Sequence, residues 1–225
     1  EVETGNVLAV AGVVRDSLSS KVENAHYLMA YVDTYEPGSV NKPFTVAAAL
    51  ETNRIRSDQV FDVPQTYLFS DKLFREPYFS STGSLSVPEI LAKSSNIGTI
   101  QIAEALGRDL LHQYLSKFGF GSYSGESDIQ AFPAESRGIL KHPRDWDGTG
   151  LATIAFGQGI SVTSIQLAAA YNAIANGGVY LTPRLVRGTL GSNGFKPEDF
   201  VVGRRVLSAE TATEVQEMLT GVVLN

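Results

Sequence analysis

The longest regular pattern in the chain runs from Ser164 to Asn176, where Ile165, Leu167, Ala168, Ala169, Ala170, Tyr171 and Ile174 recur at helical spacing before Gly177-Gly178. That pattern predicts a helix. Shorter helices are predicted from their punctuation. Ser86-Val87-Pro88-Glu89 is a capping box with proline in the first turn, and it opens a helix reaching Ala92 or Lys93. Runs from Ile97 to Leu106 and from Asp109 to Phe118 each stop at a glycine, Gly107 and Gly119, and Ser208 caps a last helix reaching about Leu219. Thr45 to Leu50 is apolar on every face and follows the break Glu36-Pro37-Gly38, so it reads as a helix buried all round.

Extended segments are fewer. Thr4-Gly5-Asn6 is turn chemistry, and the apolar run Val7 to Val10 after it predicts a short buried strand. Val179 to Leu181, Leu185-Val186 and Val201 to Leu207 predict further extended pieces around and after Pro183. Arg15 to Asn24 and Gly121 to Asp147 read as loops, and the irregular, aromatic and charged stretch from Asn53 to Thr82 predicts no element. No internal repeat is present.

Composition narrows the picture. With 225 residues, 43% hydrophobic and 19% charged, one globular domain spanning residues 1–225 is expected. A net charge of −6 with scattered Lys and Arg excludes nucleic acid as a partner, because a phosphate backbone needs clustered cations. Cysteine is absent, which removes disulfides and thiolate metal sites. The longest apolar stretches, Thr45 to Leu50 and Leu151 to Phe156, fall far short of the roughly 20 residues that span a bilayer. No basic region precedes an apolar segment at Glu1 either, so any membrane anchor is expected outside this chain.

A serine hydroxyl needs a base within hydrogen-bond reach to become a nucleophile. His26, His112 and His142 each stand alone in the sequence, without a carboxylate pattern or metal-ligand spacing, and read as structural histidines. A lysine one helical turn from the serine is the other solution. Ser39 and Lys42 are at i and i+3, which places both side chains on one face of the helix that Pro37-Gly38 introduces. Burial and the positive end of the helix dipole both disfavour the ammonium form of Lys42, and the dipole favours an oxyanion formed at Ser39. Pro43 lies in the first turn, where its missing N–H is tolerated. The spacing alone carries little weight, since chance predicts about 0.65 Ser-x-x-Lys matches at this composition. Taken alone, Lys42 is equally a solvated helix lysine and Ser39 a helix cap.

The context carries more. Tyr35-Glu36-Pro37-Gly38-Ser39-Val40-Asn41-Lys42-Pro43-Phe44 closely resembles the nucleophile motif of the class B penicillin-binding proteins. Ser94-Ser95-Asn96, lying 55 residues after Ser39, resembles the second of the three motifs of that family, Ser-x-x-Lys, Ser-Asp-Asn and Lys-Thr-Gly. Thr4 to Val10 is similar to the family's opening strand, and Phe156-Gly157-Gln158-Gly159 with Gln166-Leu167-Ala168 is similar to its Gly-Gln-Gly turn and following helix. These outer segments are expected to be structural. Val40 stands where the family often has Thr, and no Thr-Gly in the chain is preceded by Lys. Because the third motif is missing and Gly221 to Asn225 resembles the segment just before it, the resemblance implies a C-terminally incomplete domain unable to turn over by itself.

The resemblance implies an α+β, β-lactamase/transpeptidase-like fold, an antiparallel sheet packed against helices and lacking some C-terminal strands. It implies acyl transfer between peptidoglycan stem peptides, with Ser39 as nucleophile, Lys42 as base, Ser94 as proton relay and Asn96 holding the substrate amide. No metal or organic cofactor is implied. β-Lactams would trap the acyl-enzyme, and the setting would be the extracytoplasmic face of a bacterial plasma membrane, with division or elongation proteins as possible partners. A serine β-lactamase is the nearest rival, with Glu135 as the candidate to activate deacylating water. A D,D-carboxypeptidase and a non-catalytic scaffold of a wall-synthesis complex remain open.

Overall fold

The computed structural model describes residues 1–15, 21–125, 132–197 and 203–224, with no account of the Leu224 side chain. In chain order the elements are β1 (Val13–Arg15), β2 (Val22–Asn24), α1 (Met29–Val32), β3 (Thr34–Tyr35), α2 (Lys42–Glu51), β4 (Val60–Val63), β5 (Thr66–Phe69), β6 (Lys72–Arg75), β7 (Gly83–Ser86) and α3 (Val87–Ala92). They continue with α4 (Asn96–Leu106), α5 (Arg108–Lys117), α6 (Gly150–Ala155), β8 (Val162–Thr163), α7 (Ser164–Ala175), β9 (Val179–Tyr180), β10 (Gly188–Gly191), β11 (Gly194–Pro197), β12 (Arg204–Arg205) and α8 (Ala209–Leu224).

Helix α2 is the axis of the core. Phe44, Val46, Ala47, Ala48 and Ala49 are all 0% exposed, and α4, α5 and α8 pack around them. The small alanines let those neighbours approach closely on every side, which a helix lying on a surface would not need. Phe44 meets Phe120 and Tyr171 edge-on and Phe118 at a tilt, with ring centroids 4.9–5.3 Å apart. Truncating a ring in such a setting costs about 3–5 kcal/mol.

The capped helices start where their punctuation predicts, although α8 runs on to Leu224 instead of stopping near Leu219, because Gly221 continues the helix rather than ending it. Ser86 and Glu89 complete the capping box of α3, and Thr163 with Gln166 makes a second one at the head of α7. Ser95 Oγ accepts the Gly98 N–H at 2.9 Å to cap α4, which ends at Gly107 with φ +85°. Ser208 Oγ accepts the Thr211 N–H at the start of α8.

Every strand pairs antiparallel with one partner among the described residues, so the strands form separate ribbons: β1 with β2, β3 with β8, β4 with β7, β5 with β6, β9 with β12 and β10 with β11. Several expectations are corrected here. Val7 to Val10 forms no strand; Asn6 bridges Arg184 in parallel, no second partner closes a ladder, and Leu8 is 76% exposed. Arg15 to Asn24 contains strand residues of the β1–β2 ribbon, although residues 16–20 lie outside the described set. Leu185-Val186 is not a strand, the single bridge falling on Arg184. The expected piece from Val201 is described only from residue 203, where β12 follows.

Asn53 to Thr82 holds β4, β5 and β6. Their four-residue strands bury only one side chain or none fully, so no alternation is readable, and Ser70-Asp71 makes the β5–β6 turn without the usual Asn-Gly signal. The β10–β11 hairpin is almost wholly exposed and invisible to periodicity for the same reason. Among the described residues no helix is long and apolar enough to cross a membrane.

Candidate active site

The segment from Pro37 to Asn41 does not begin as an α-helix. It is a 3-10 turn over Gly38–Asn41 in which the Lys42 N–H donates to the Ser39 carbonyl, and α2 starts directly after it with Pro43 in its first turn. Ser39 is therefore exposed at the head of a helix whose next residues are fully buried. Its hydroxyl forms no hydrogen bond among the described residues, which leaves it available to solvent or substrate.

Lys42 is only 1% exposed. Its amine donates to Ser94 Oγ at 3.0 Å and also to the Ser94 carbonyl. Burial pushes its pKa from 10.5 down to about 8, while the Glu76 carboxylate acts in the opposite direction. About a tenth of the amine is then neutral at pH 7 and half at pH 8, far more than for an unperturbed lysine, and the neutral form is the state a base requires.

Ser94 sits in the break between α3 and α4 with φ +52°, a left-handed conformation uncommon for a non-glycine residue. Asn96 is the first residue of α4 and half-buried. The structure thus brings Lys42 and Ser94 into contact, places Ser39 one turn before Lys42, and sets Asn96 two residues beyond Ser94.

Several residues that the sequence did not single out hold this arrangement. Asn41 Nδ2 donates to the Ile154 carbonyl at 2.9 Å and Thr45 Oγ1 to the Ala155 carbonyl at 2.8 Å, tying α2 to the end of α6. The turn that follows is the seat of the serine segment. Gly38 N–H donates to the Gly157 carbonyl at 2.9 Å, and Gly159 N–H donates to Glu36 Oε1 at 2.8 Å. Gly157 has φ +83°, and a Cβ there would lie 2.2 Å from the Gly38 carbonyl oxygen. Tyr171 OH donates to the Val40 carbonyl at 2.8 Å from the other side. The Gly-Gln-Gly turn is structural, as expected, but its structure is that of the candidate site itself.

The other candidates lie elsewhere. Glu135 is 3% exposed and accepts the Ser124 N–H at 2.8 Å; the hydrogen bonds of Lys42 go to Ser94 and none to Glu135. The expectation that each histidine stands alone is corrected for two of them. His112 and His142 pack ring to ring with centroids 5.6 Å apart, beside Trp146, and burial followed by the His142 charge lowers the His112 pKa. Sequence spacing gives no hint of that contact, because a loop of the chain carries His142 back to α5. An apolar cavity of about 340 Å³ lined by Val7, Leu8, Ile165, Ala168, Leu181 and Pro183, among others, contains none of the four candidate residues.

Comparison with known proteins gives the family. The family model described as the penicillin binding protein transpeptidase domain matches residues 1–225. Penicillin-binding protein PbpB of Mycolicibacterium smegmatis is 34% identical over 190 residues, covering 84% of this chain and 29% of the relative. The probable peptidoglycan D,D-transpeptidase FtsI of Caulobacter vibrioides is 31% identical over 221 residues, covering 97% of this chain and 35% of the relative. The chain therefore spans about a third of the length of these relatives. Among solved structures, penicillin binding protein 3 of Mycobacterium tuberculosis complexed with aztreonam superposes with a TM-score of 0.82 at 32% identity, over 89% of this chain and 44% of that one. A peptidoglycan synthetase from Bifidobacterium adolescentis gives a TM-score of 0.88 at 25% identity, over 100% of this chain and 41% of that one. With an α+β fold shared with those transpeptidase domains and a family match along its whole length, the chain belongs to the penicillin-binding protein transpeptidase family.

Proposed function

We propose that this chain carries the serine and lysine part of a peptidoglycan D,D-transpeptidase active site. The observation that carries the reading is the buried Lys42 amine, hydrogen-bonded to Ser94 Oγ one helical turn after an exposed, unengaged Ser39. Ser39 Oγ attacks the carbonyl between the two D-alanines of a stem peptide, and its proton passes to Lys42 Nζ. The C–N bond to the terminal D-Ala breaks, and that amine leaves with a proton delivered from Lys42 through Ser94 Oγ. An amine of a neighbouring stem then attacks the ester and gives its proton to the same pair; the C–O bond to Ser39 breaks and that proton passes to Ser39 Oγ, restoring the hydroxyl. The Asn96 amide holds the peptide group of the substrate.

A β-lactam follows the first step and remains as an ester on Ser39. The 225 residues contain no Lys-Thr-Gly, and none of them is assigned its role. The family resemblance supports placing the whole protein at the extracytoplasmic face of a bacterial plasma membrane, beside division or elongation proteins. Burial of Glu135 against Ser124 favours a transpeptidase over a β-lactamase that uses this residue to activate water.

Time-resolved intact-protein mass spectrometry of the full-length protein with a β-lactam tests the reading. A long-lived one-to-one adduct is expected. Rapid turnover would identify a hydrolase instead, and no adduct would identify a scaffold.

A further inference from the structure

Glu76 follows directly after β6 and is 4% exposed. Its backbone is pinned on both sides to Gln65: its N–H donates to the Gln65 carbonyl at 3.0 Å, and its carbonyl accepts from Gln65 Nε2 at 2.8 Å. Its side chain reaches away from the hairpin to the head of α4. There Oε1 accepts the Ser95 hydroxyl at 2.8 Å and the Ile97 N–H at 2.5 Å, while Oε2 is buried without a hydrogen-bond partner among the described residues. A carboxylate buried with half its acceptors unused is costly, and such a cost usually marks a use.

Two features of the position point to that use. Ser95 is the middle residue of Ser94-Ser95-Asn96, and its hydroxyl also caps α4 by accepting the Gly98 N–H. Clamping Ser95 fixes the residues on either side of it, one of them the left-handed Ser94 that receives the Lys42 amine. The same carboxylate is the charged group whose field acts on that amine. Charged groups on the surrounding elements are engaged elsewhere: Lys93 lies 4.0 Å from Glu89, Glu104 accepts from Tyr67, Glu51 from Ser208, and Lys72 lies over the Phe74 ring. Arg75, beside Glu76, is exposed, and α6 carries no charged residue.

We propose that Glu76 is a positioning residue for the Lys42–Ser94 pair, clamping the Ser94–Asn96 loop to the head of α4 and placing a carboxylate on Ser95, next to the residue that receives the Lys42 amine. The inference rests on the reading of Ser39 and Lys42 given above. It assigns the β5–β6 hairpin, which carries no group expected to touch substrate, a part in the chemistry through one side chain. A carboxylate facing an amine favours the ammonium form, so removing its charge shifts the amine's titration to lower pH.

The test compares the pH dependence of β-lactam acylation in the full-length wild type, Glu76→Gln and Glu76→Asp, with Ser39→Ala as control. Glu76→Gln keeps an oxygen for Ser95 and Ile97 but not the charge, and the midpoint of its acylation profile is expected below that of the wild type. Glu76→Asp keeps the charge but is one methylene too short to hold both donors, so a slower rate at an unmoved midpoint is expected. A wild-type midpoint in Glu76→Gln would overturn the electrostatic half, and a wild-type rate in Glu76→Asp would overturn the clamp. A purely structural helix cap would lower rate and stability without moving the midpoint. Acylation surviving in Ser39→Ala would instead sink the reading of the site, a result distinguishable from failure of the Glu76 proposal.

Discussion

Gly157 and Gly177 both adopt left-handed backbone, with φ +83° and +59°, but they differ in what surrounds them. A Cβ at Gly157 would lie 2.2 Å from the Gly38 carbonyl oxygen, 2.6 Å from the Gly38 nitrogen and 2.8 Å from Asn41 Cβ, whereas one at Gly177 meets nothing within 4 Å. Alanine at either position incurs the cost of a left-handed L-residue, about 1–2 kcal/mol. At Gly157 it also forces backbone apart, adding about 1–3 kcal/mol. It further strains the Gly38 N–H bond to the Gly157 carbonyl, worth about 1 kcal/mol. Gly157→Ala is therefore expected to destabilise by about 4 kcal/mol and Gly177→Ala by about 1–2 kcal/mol. The displaced atoms belong to Gly38, directly before Ser39, and to Asn41, two residues after it. A shift near 1 Å in a reacting group costs about a hundredfold in rate, so Gly157→Ala should acylate about a hundredfold more slowly, with Gly177→Ala near wild type. Urea denaturation and the second-order rate with a fluorescent penicillin, both on the full-length protein at a temperature where each variant is folded, provide the comparison. Equal acylation rates in the two variants would refute the idea that the Gly-Gln-Gly turn seats the serine segment.

Four further outcomes are expected. Because Lys42 titrates near 8 in the fold and at 10.5 when unfolded, the unfolded chain holds a proton that the folded one has lost between those values. Stability should consequently rise with pH across that window, by up to about 3 kcal/mol, and chemical denaturation of Lys42→Met should show this increment missing. Below pH 8 the burial cost of the ammonium is fully present, and acylation should climb as pH passes through about 8. Thr45→Val leaves the Ala155 carbonyl without its 2.8 Å donor and should cost about 1–2 kcal/mol in a urea titration. Gln166→Ala removes an acceptor for Thr163 N–H and donors to the Ser122 and Arg137 carbonyls; a loss of about 3 kcal/mol is expected in thermal unfolding.

What could be read from the chain was what is local. The helices announced by Ser86, Ser164 and the glycines after Leu106 were legible because caps and periodicity act within a few residues. Ser39 and Lys42 were singled out by the ten-residue stretch from Tyr35 to Phe44, which is also local, rather than by their spacing. The ribbons β4–β7, β5–β6 and β10–β11 were not, since short, half-exposed strands leave no period to detect. The supports of the site were hidden for a different reason. Glu36 meets Gly159 across 123 residues and Asn41 meets Ile154 across 113, contacts that exist only once the fold has closed. Glu76 shares that property; nothing near it in sequence announces a carboxylate aimed at the Ser94–Asn96 loop, 19 residues before Ser95. The opening segment from Val7 misled because apolar composition implied burial where no neighbouring strand exists among the described residues.

Peptide mapping by tandem mass spectrometry after trapping the full-length protein with a β-lactam locates the acylated atom. A single adduct on the peptide containing Ser39, absent in Ser39→Ala and strongly slowed in Lys42→Met, is expected. An adduct on any other residue, or one that persists in Ser39→Ala, would contradict the placement of the nucleophile at the head of α2.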